Sequence, residues 1–201
     1  MTCFVPLVAQ SPRTVWQHPA ASKPPLVPTT ALQSTTTTSD DLLVTVREGI
    51  AEVTGGSLED WHAAVAVVEA ILDSNDAERV LADATRWTAW ARAGKMARKY
   101  IKPEQTVNAA QLQESLDWLQ TTGPLELTLD QVKEAIRQYP QLYLMDPAAK
   151  YKKVMGVAPR QFRDSLRDLI LEDYSVLQFQ YNCDNDCISE CGNCWVTFQN
   201  R

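Results

Sequence analysis

The sequence predicts an all-α protein, an irregular helical bundle or short helical array, finished by a small C-terminal cysteine-rich β-hairpin. Three observations point there. Apolar residues recur at three- and four-residue spacing through most of residues 39–173, the period of a helix with one buried face. Glycine is scarce, seven in 201 residues, while Ala, Leu and Gln are frequent in the middle, which favours helix over sheet. Four of the five cysteines crowd into "CDNDCISECGNC", between two runs rich in aromatic and β-branched residues. A chain of this length can build one self-sufficient core. No stretch approaches the ~20 apolar residues that span a bilayer. The organisation read from these patterns is a tail over 1–38, a helical domain over 39–173 and a cysteine-rich hairpin over 174–201.

The tail contains Arg13 and Lys23 and no acid, and it is rich in Ser, Thr and Pro. That is the composition of an organelle transit peptide, with the Ser/Thr content favouring plastid over mitochondrion. A plain disordered tail has the same composition. Removing those two cations from the net charge of −6 leaves −8 for the remainder. An acidic body argues against broad, nonspecific nucleic-acid binding, which counterion release from phosphates drives. A local basic stripe can still bind.

The first helix starts at Ser39, turns Leu42, Leu43, Val46, Ile50 and Val53 to one side, and ends at Gly55 and Gly56. Ser57 and Asp60 resemble a capping box for a second helix that buries Leu58, Trp61, Val65, Val68 and Leu72. Asn75 and Glu78 offer the same start to a third, which the periodicity extends to Ile101, before Pro103. Asn108 caps a fourth, with Leu112, Leu116 and Leu119 inward and Gly123–Pro124 as its stop.

The third helix carries "RWTAWARAGKMARKYIK", which has no acid between Arg86 and Lys102. On a continuous helix Arg92, Lys95, Lys99 and Lys102 share one face, and Trp87, Trp90, Gly94, Ala97 and Ile101 share another. A basic amphipathic helix suits phosphate, anionic lipid or an acidic partner. Charge runs on helices are more commonly a solvated face above buried tryptophans. His18 and His62 are the only histidines; His18 lies in the transit-like tail, and His62 has no Ser or Cys neighbour that would make a catalytic pair. No nucleophile elbow, phosphate loop, dinucleotide fingerprint or H-E-x-x-H motif occurs.

The stretch "LELTLDQVKEAIRQYPQLYLMDPAAKYKKVM" reads as helix, proline turn, helix. Thr128 and Gln131 form a capping box, Leu129, Val132 and Ile136 lie on one side, Pro140 ends the first helix, and Asp146–Pro147 opens the next. This stretch resembles the repeat of the mitochondrial transcription termination factor (mTERF) family, through Leu129, Val132, Ile136, Pro140, Leu142 and Leu144 with Lys150 and Lys152 following. The resemblance covers about 30 residues, a single copy where a solenoid needs at least ~3. It implies an organelle-targeted helical array that binds nucleic acid. Lys150, Lys152, Lys153, Arg160, Arg163 and Arg167 would then meet phosphates, although Asp146, Asp164 and Asp168 intersperse them. A last helix starts at Pro159, turns Phe162, Leu166, Leu169 and Ile170 inward, and ends near Asp173.

Cys183, Cys187, Cys191 and Cys194 would form a row about 16 Å long on one helix, too long to share an ion. The intervening Asp, Asn, Ser and Gly favour turns instead, and a looped backbone can gather four sulfurs to the ~2.3 Å Zn–S distance of a tetrahedral site. "CGNCW" resembles the knuckle of zinc-ribbon proteins. The flanks, Tyr174–Tyr181 and Trp195–Phe198, read as the two strands of the hairpin. A structural zinc ion is the leading reading. An iron–sulfur cluster, disulfide or redox chemistry, and unliganded thiols are the alternatives. Two roles follow: a nucleic-acid-binding accessory factor, with RNA or DNA as ligand, or an assembly factor of an organellar protein complex.

Overall fold

The structure is a computed structural model that describes residues 39–54, 58–72, 76–182 and 193–199. Among them are twelve α-helices and no β-strand. Helix α1 (Ser39–Thr54) buries Leu42, Val46 and Ile50 as the period predicts, but Val53 faces solvent. Helix α2 (Glu59–Leu72) buries Trp61, Ala64, Val68 and Leu72. The stop at Gly55–Gly56 and the caps at Ser57 and Asn75 lie outside the described residues. Three helices are tied together at Glu78 of α3 (Ala77–Ala84). Its carboxylate receives Arg47 Nε of α1 at 2.7 Å and the Trp61 indole N–H of α2 at 3.1 Å. Burial alone would push this carboxyl's pKa up. The two hydrogen bonds and the guanidinium charge outweigh it and hold the pKa below its ordinary value.

The single third helix expected up to Ile101 is instead three: α3, α4 (Trp87–Arg92) and α5 (Lys95–Arg98). The first break falls at Arg86, left-handed at φ 68°. Tertiary bonds replace the lost helical ones there. The Thr85 carbonyl accepts the Glu104 N–H at 2.9 Å, and the Glu104 carbonyl accepts the Trp87 indole N–H at 2.9 Å. The segment after Lys102 therefore folds back on α4, which periodicity alone cannot foresee. Helix α1 packs on α4 through Gly49. A Cβ at that position would drive into the Trp90 ring and sit 3.1 Å from Trp87.

Helix α6 (Ala109–Asp117) has the expected cap, with Asn108 accepting the Ala110 N–H at 2.8 Å. It runs on into a π-turn over Trp118–Thr122 and stops at Gly123, where a Cβ would lie 2.5 Å from the Trp118 indole. The capping box of α7 (Leu129–Gln138) is complete, Thr128 and Gln131 each bonding the other's N–H. Leu129, expected inward, is 45% exposed, while Val132, Ala135 and Ile136 are buried. Pro140 is the first residue of a short α8 (Pro140–Leu144) rather than part of a turn. Asp146 caps α9 (Pro147–Val157) by accepting the Ala149 N–H at 3.0 Å. The last predicted helix is split into α10 (Arg160–Arg163) and α11 (Leu166–Glu172).

The C-terminal β-hairpin is not formed by the described residues. Tyr174–Gln178 is a 3-10 turn that Asp173 caps through the Ser175 N–H at 2.8 Å, and Trp195–Gln199 is a short helix, α12. A single parallel bridge, Tyr181 with Cys194, is all the strand-like pairing described. The cause is burial on every side. A half-exposed hairpin turns alternate residues to water, whereas consecutive Val176 and Leu177, with Phe179 and Trp195, are all fully buried. Their aromatic rings join Phe162 and Phe198 in one cluster, with Phe162 stacked on Trp195 at 5.4 Å.

Candidate functional site

Three of the four cysteines, Cys183, Cys187 and Cys191, lie outside the described residues. Cys194 lies inside them and is 1% exposed. The described chain on either side of the cysteine segment is clamped together: Cys194 bridges Tyr181, and the Trp195 N–H donates to the Tyr181 carbonyl at 3.0 Å. The Trp195 indole nitrogen is buried with no hydrogen-bond partner among the described residues. A buried donor without an acceptor costs about 1–3 kcal/mol. Among the described residues no three His, Cys, Asp or Glu side chains form a metal-binding group.

The first basic set does not lie along one helix face. Helix α4 ends at Arg92, and Ala93 and Gly94 run extended at ψ 139° and 156° before α5 begins at Lys95. Arg92, Lys95, Lys99 and Lys102 are nonetheless all exposed. Between them stand Met96, 77% exposed, and Tyr100, 76% exposed, with the Lys99 ammonium 4.9 Å from the Tyr100 ring centre. Arg98, inside the same run, is spent differently. Its guanidinium lies 4.2 Å from the Trp90 ring, Nε donates to the Ala93 carbonyl at 3.1 Å, and Nη2 to Ala91 at 3.2 Å. The extended break has left those carbonyls without helical partners, so Arg98 staples the turn.

The second basic set contains the same device. Ala158 and Pro159 run extended at ψ 138° and 145°, and Arg163 donates to Ala158 at 2.8 Å and to Gly156 at 3.2 Å. "ARAGKMAR" (91–98) and "GVAPRQFR" (156–163) share the pattern A-[GP]-[KR]-x-x-R, 65 residues apart. Lys150 also turns inward, its ammonium donating to the Met145 carbonyl, and burial lowers its pKa despite the attraction of Asp146. Arg167 donates to the Leu125 carbonyl at 3.1 Å. Lys152, Lys153 and Arg160 remain exposed, with Lys153 4.6 Å from the exposed Tyr181 ring. Of the residues read as phosphate contacts, Lys150, Arg163 and Arg167 thus bond the protein's own carbonyls.

A cleft of about 720 Å³ opens between α6 and the start of α9, walled by Trp118, Leu144 and Met145 and bearing Glu104, Glu114 and Asp146. Its carboxylates make it unsuited to a polyanion. Sequence reasoning missed the exposure of Met96 and Tyr100, because it placed them on a continuous helix. It also missed the staples, although the repeated A-[GP]-[KR]-x-x-R pattern was there to be found. No family model, curated protein or solved structure matches the chain.

Proposed function

We propose that this is an organelle-targeted helical protein, more plastid than mitochondrial in its tail composition. In this reading it acts in organellar gene expression as a nucleic-acid-binding accessory factor and carries a structural zinc ion. The observation that carries the binding role is the Arg92–Lys102 segment: four exposed cations and an exposed tyrosine in one short stretch, with no acid among residues 86–102, on a chain of net negative charge. Lys152, Lys153 and Arg160 supply a second group of exposed cations. The α7–α8–α9 unit is the stretch that carries the likeness to an mTERF-type repeat, with Pro140 opening α8 where the pattern expects a turn.

The test is a binding titration with RNA and DNA at several salt concentrations. Four phosphate contacts give a log–log salt slope of about −3 on a single strand. Reversing charge at Lys95, Lys99 and Lys102 with glutamate flattens that slope and weakens binding at least tenfold. No binding at low salt removes this role. The exposure of Met96, a side chain common at protein contacts, favours the second reading, an assembly factor. A protein partner lost on Met96→Glu, with no nucleic-acid affinity, would select it.

Zinc would be held by the thiolates of Cys183, Cys187, Cys191 and Cys194. A site closed by four protein ligands supplies structure rather than chemistry. Two features fit it. The bridge at Tyr181 and Cys194 brings both ends of the segment together, and the Trp195 indole N–H, without a partner among the described residues and next in the chain to Cys194, is a donor of the kind that metal-bound sulfur accepts. Native mass spectrometry of anaerobically prepared protein should show one zinc per chain, lost on Cys194→Ser. Bare polypeptide removes the zinc assignment.

A further inference from the structure

We infer that the knob formed by α5 and the residues after it takes single-stranded nucleic acid, with an unpaired base stacked on Tyr100. This rests on the nucleic-acid reading above and goes further, naming the strand state and the contact. Tyr100 is 76% exposed although it is a large aromatic side chain. A cation lies over one face of its ring, Lys99 at 4.9 Å from the centre, which leaves the opposite face for a base, and Lys95 and Lys102 are exposed nearby in the chain. A ring open to solvent among cations is the arrangement that single-strand binders use: the base stacks, and the flanking ammonium groups meet the phosphates on either side.

A duplex gains little from the same surface. Its bases already stack on one another, so the phenol ring would face a phosphate backbone. A helix of four residues, about 6 Å long, is also too short to read a major groove. The knob does not depend on its ligand for shape. Arg98 is fastened to two carbonyls and lies over Trp90, whose neighbour Trp87 is fully buried. The platform is therefore set before a strand arrives, which lowers the ordering cost of binding.

The experiment uses the full chain and two fluorescent RNAs of similar charge, a single-stranded oligouridine and a blunt duplex. Fluorescence anisotropy gives the affinity of the wild type, Tyr100→Ala and Tyr100→Phe for each. Tyr100→Ala should weaken oligouridine binding by about 5- to 150-fold, the range of one base–aromatic stack. Its duplex affinity should stay within twofold, and Tyr100→Phe should keep the single-strand affinity. Circular dichroism should be unchanged, because the side chain is exposed. Equal losses on both RNAs, or no loss on either, overturn the stacking inference and leave nucleic-acid binding standing. A wild-type protein that binds neither RNA overturns the reading beneath it. Poly-glutamate that competes as well as oligouridine overturns both in favour of an acidic protein partner.

Discussion

The chain makes the same turn twice. At Ala93–Gly94 and at Ala158–Pro159 two extended residues interrupt a helix, and an arginine five residues on returns to the stranded carbonyls. What surrounds the turns differs. After the second, Phe162 of α10 is covered by Trp195 and Phe198 of α12, so the short helix, otherwise exposed, packs one half-buried ring against the core. After the first, the matching position is Ala97, which is exposed, and Met96 and Tyr100 stand out beside it. One turn device thus serves two ends. Where an aromatic follows, it seals the core; where an alanine follows, it holds a basic knob out to solvent.

The largest effect that should separate them comes from the covered turn. Trp195→Ala removes a fully buried indole from the aromatic cluster and should cost about 3–5 kcal/mol in urea denaturation. Tyr100→Ala, at the open turn, should stay within about 0.5 kcal/mol of wild type. Similar losses for the two would erase the distinction.

A middling effect should come from the staples. Arg163→Met keeps the stem and removes two charge-assisted bonds, about 1–2 kcal/mol for a site open to water. Arg98→Met should cost about 0.5–1 kcal/mol more, because it also loses the Trp90 stack. A smaller loss at Arg98 than at Arg163 would break the account of the first turn as a prebuilt platform.

The smallest effect is a pH dependence on the side of the molecule where α1 meets α3. The Glu78 carboxyl has a lowered pKa in the folded state, so its bonds stabilise the fold above the ordinary carboxylate pKa of about 4.3. That stability is lost as pH falls through the lower folded value. Glu78→Gln should flatten the acid limb of a stability–pH curve by under about 1 kcal/mol and leave the neutral region almost parallel to wild type. An unchanged acid limb would mean that the Arg47–Glu78–Trp61 contact does not hold α1 in place.

Elements whose signals are local could be read directly from the residues. Asn108, Thr128 with Gln131, and Asp146 with Pro147 mark helix starts because a cap acts within three residues. The breaks in the third helix could not be read that way. The Thr85 carbonyl is taken by Glu104, nineteen positions on, and a period count sees no such partner. The expected hairpin strands failed for a related reason. "YSVLQFQY" has the composition of a strand, but its side chains are buried on consecutive positions, and a capped 3-10 turn delivers that where a pleat cannot. For the basic residues, the charge pattern located exposed Lys95, Lys99 and Lys102. It gave no sign that Arg98 and Arg163 were committed to main-chain oxygens, since that follows from helix breaks elsewhere.

Gly49 has a consequence that reaches beyond α1. The absence of a side chain there makes room for the Trp90 ring, and Trp90 in turn carries the Arg98 guanidinium. Under the binding role proposed above, a mutational scan scored on that binding would flag residue 49, which lies far from the knob in sequence. Alanine at that site would push the indole aside, and the damage would register as a lost affinity whose origin is steric.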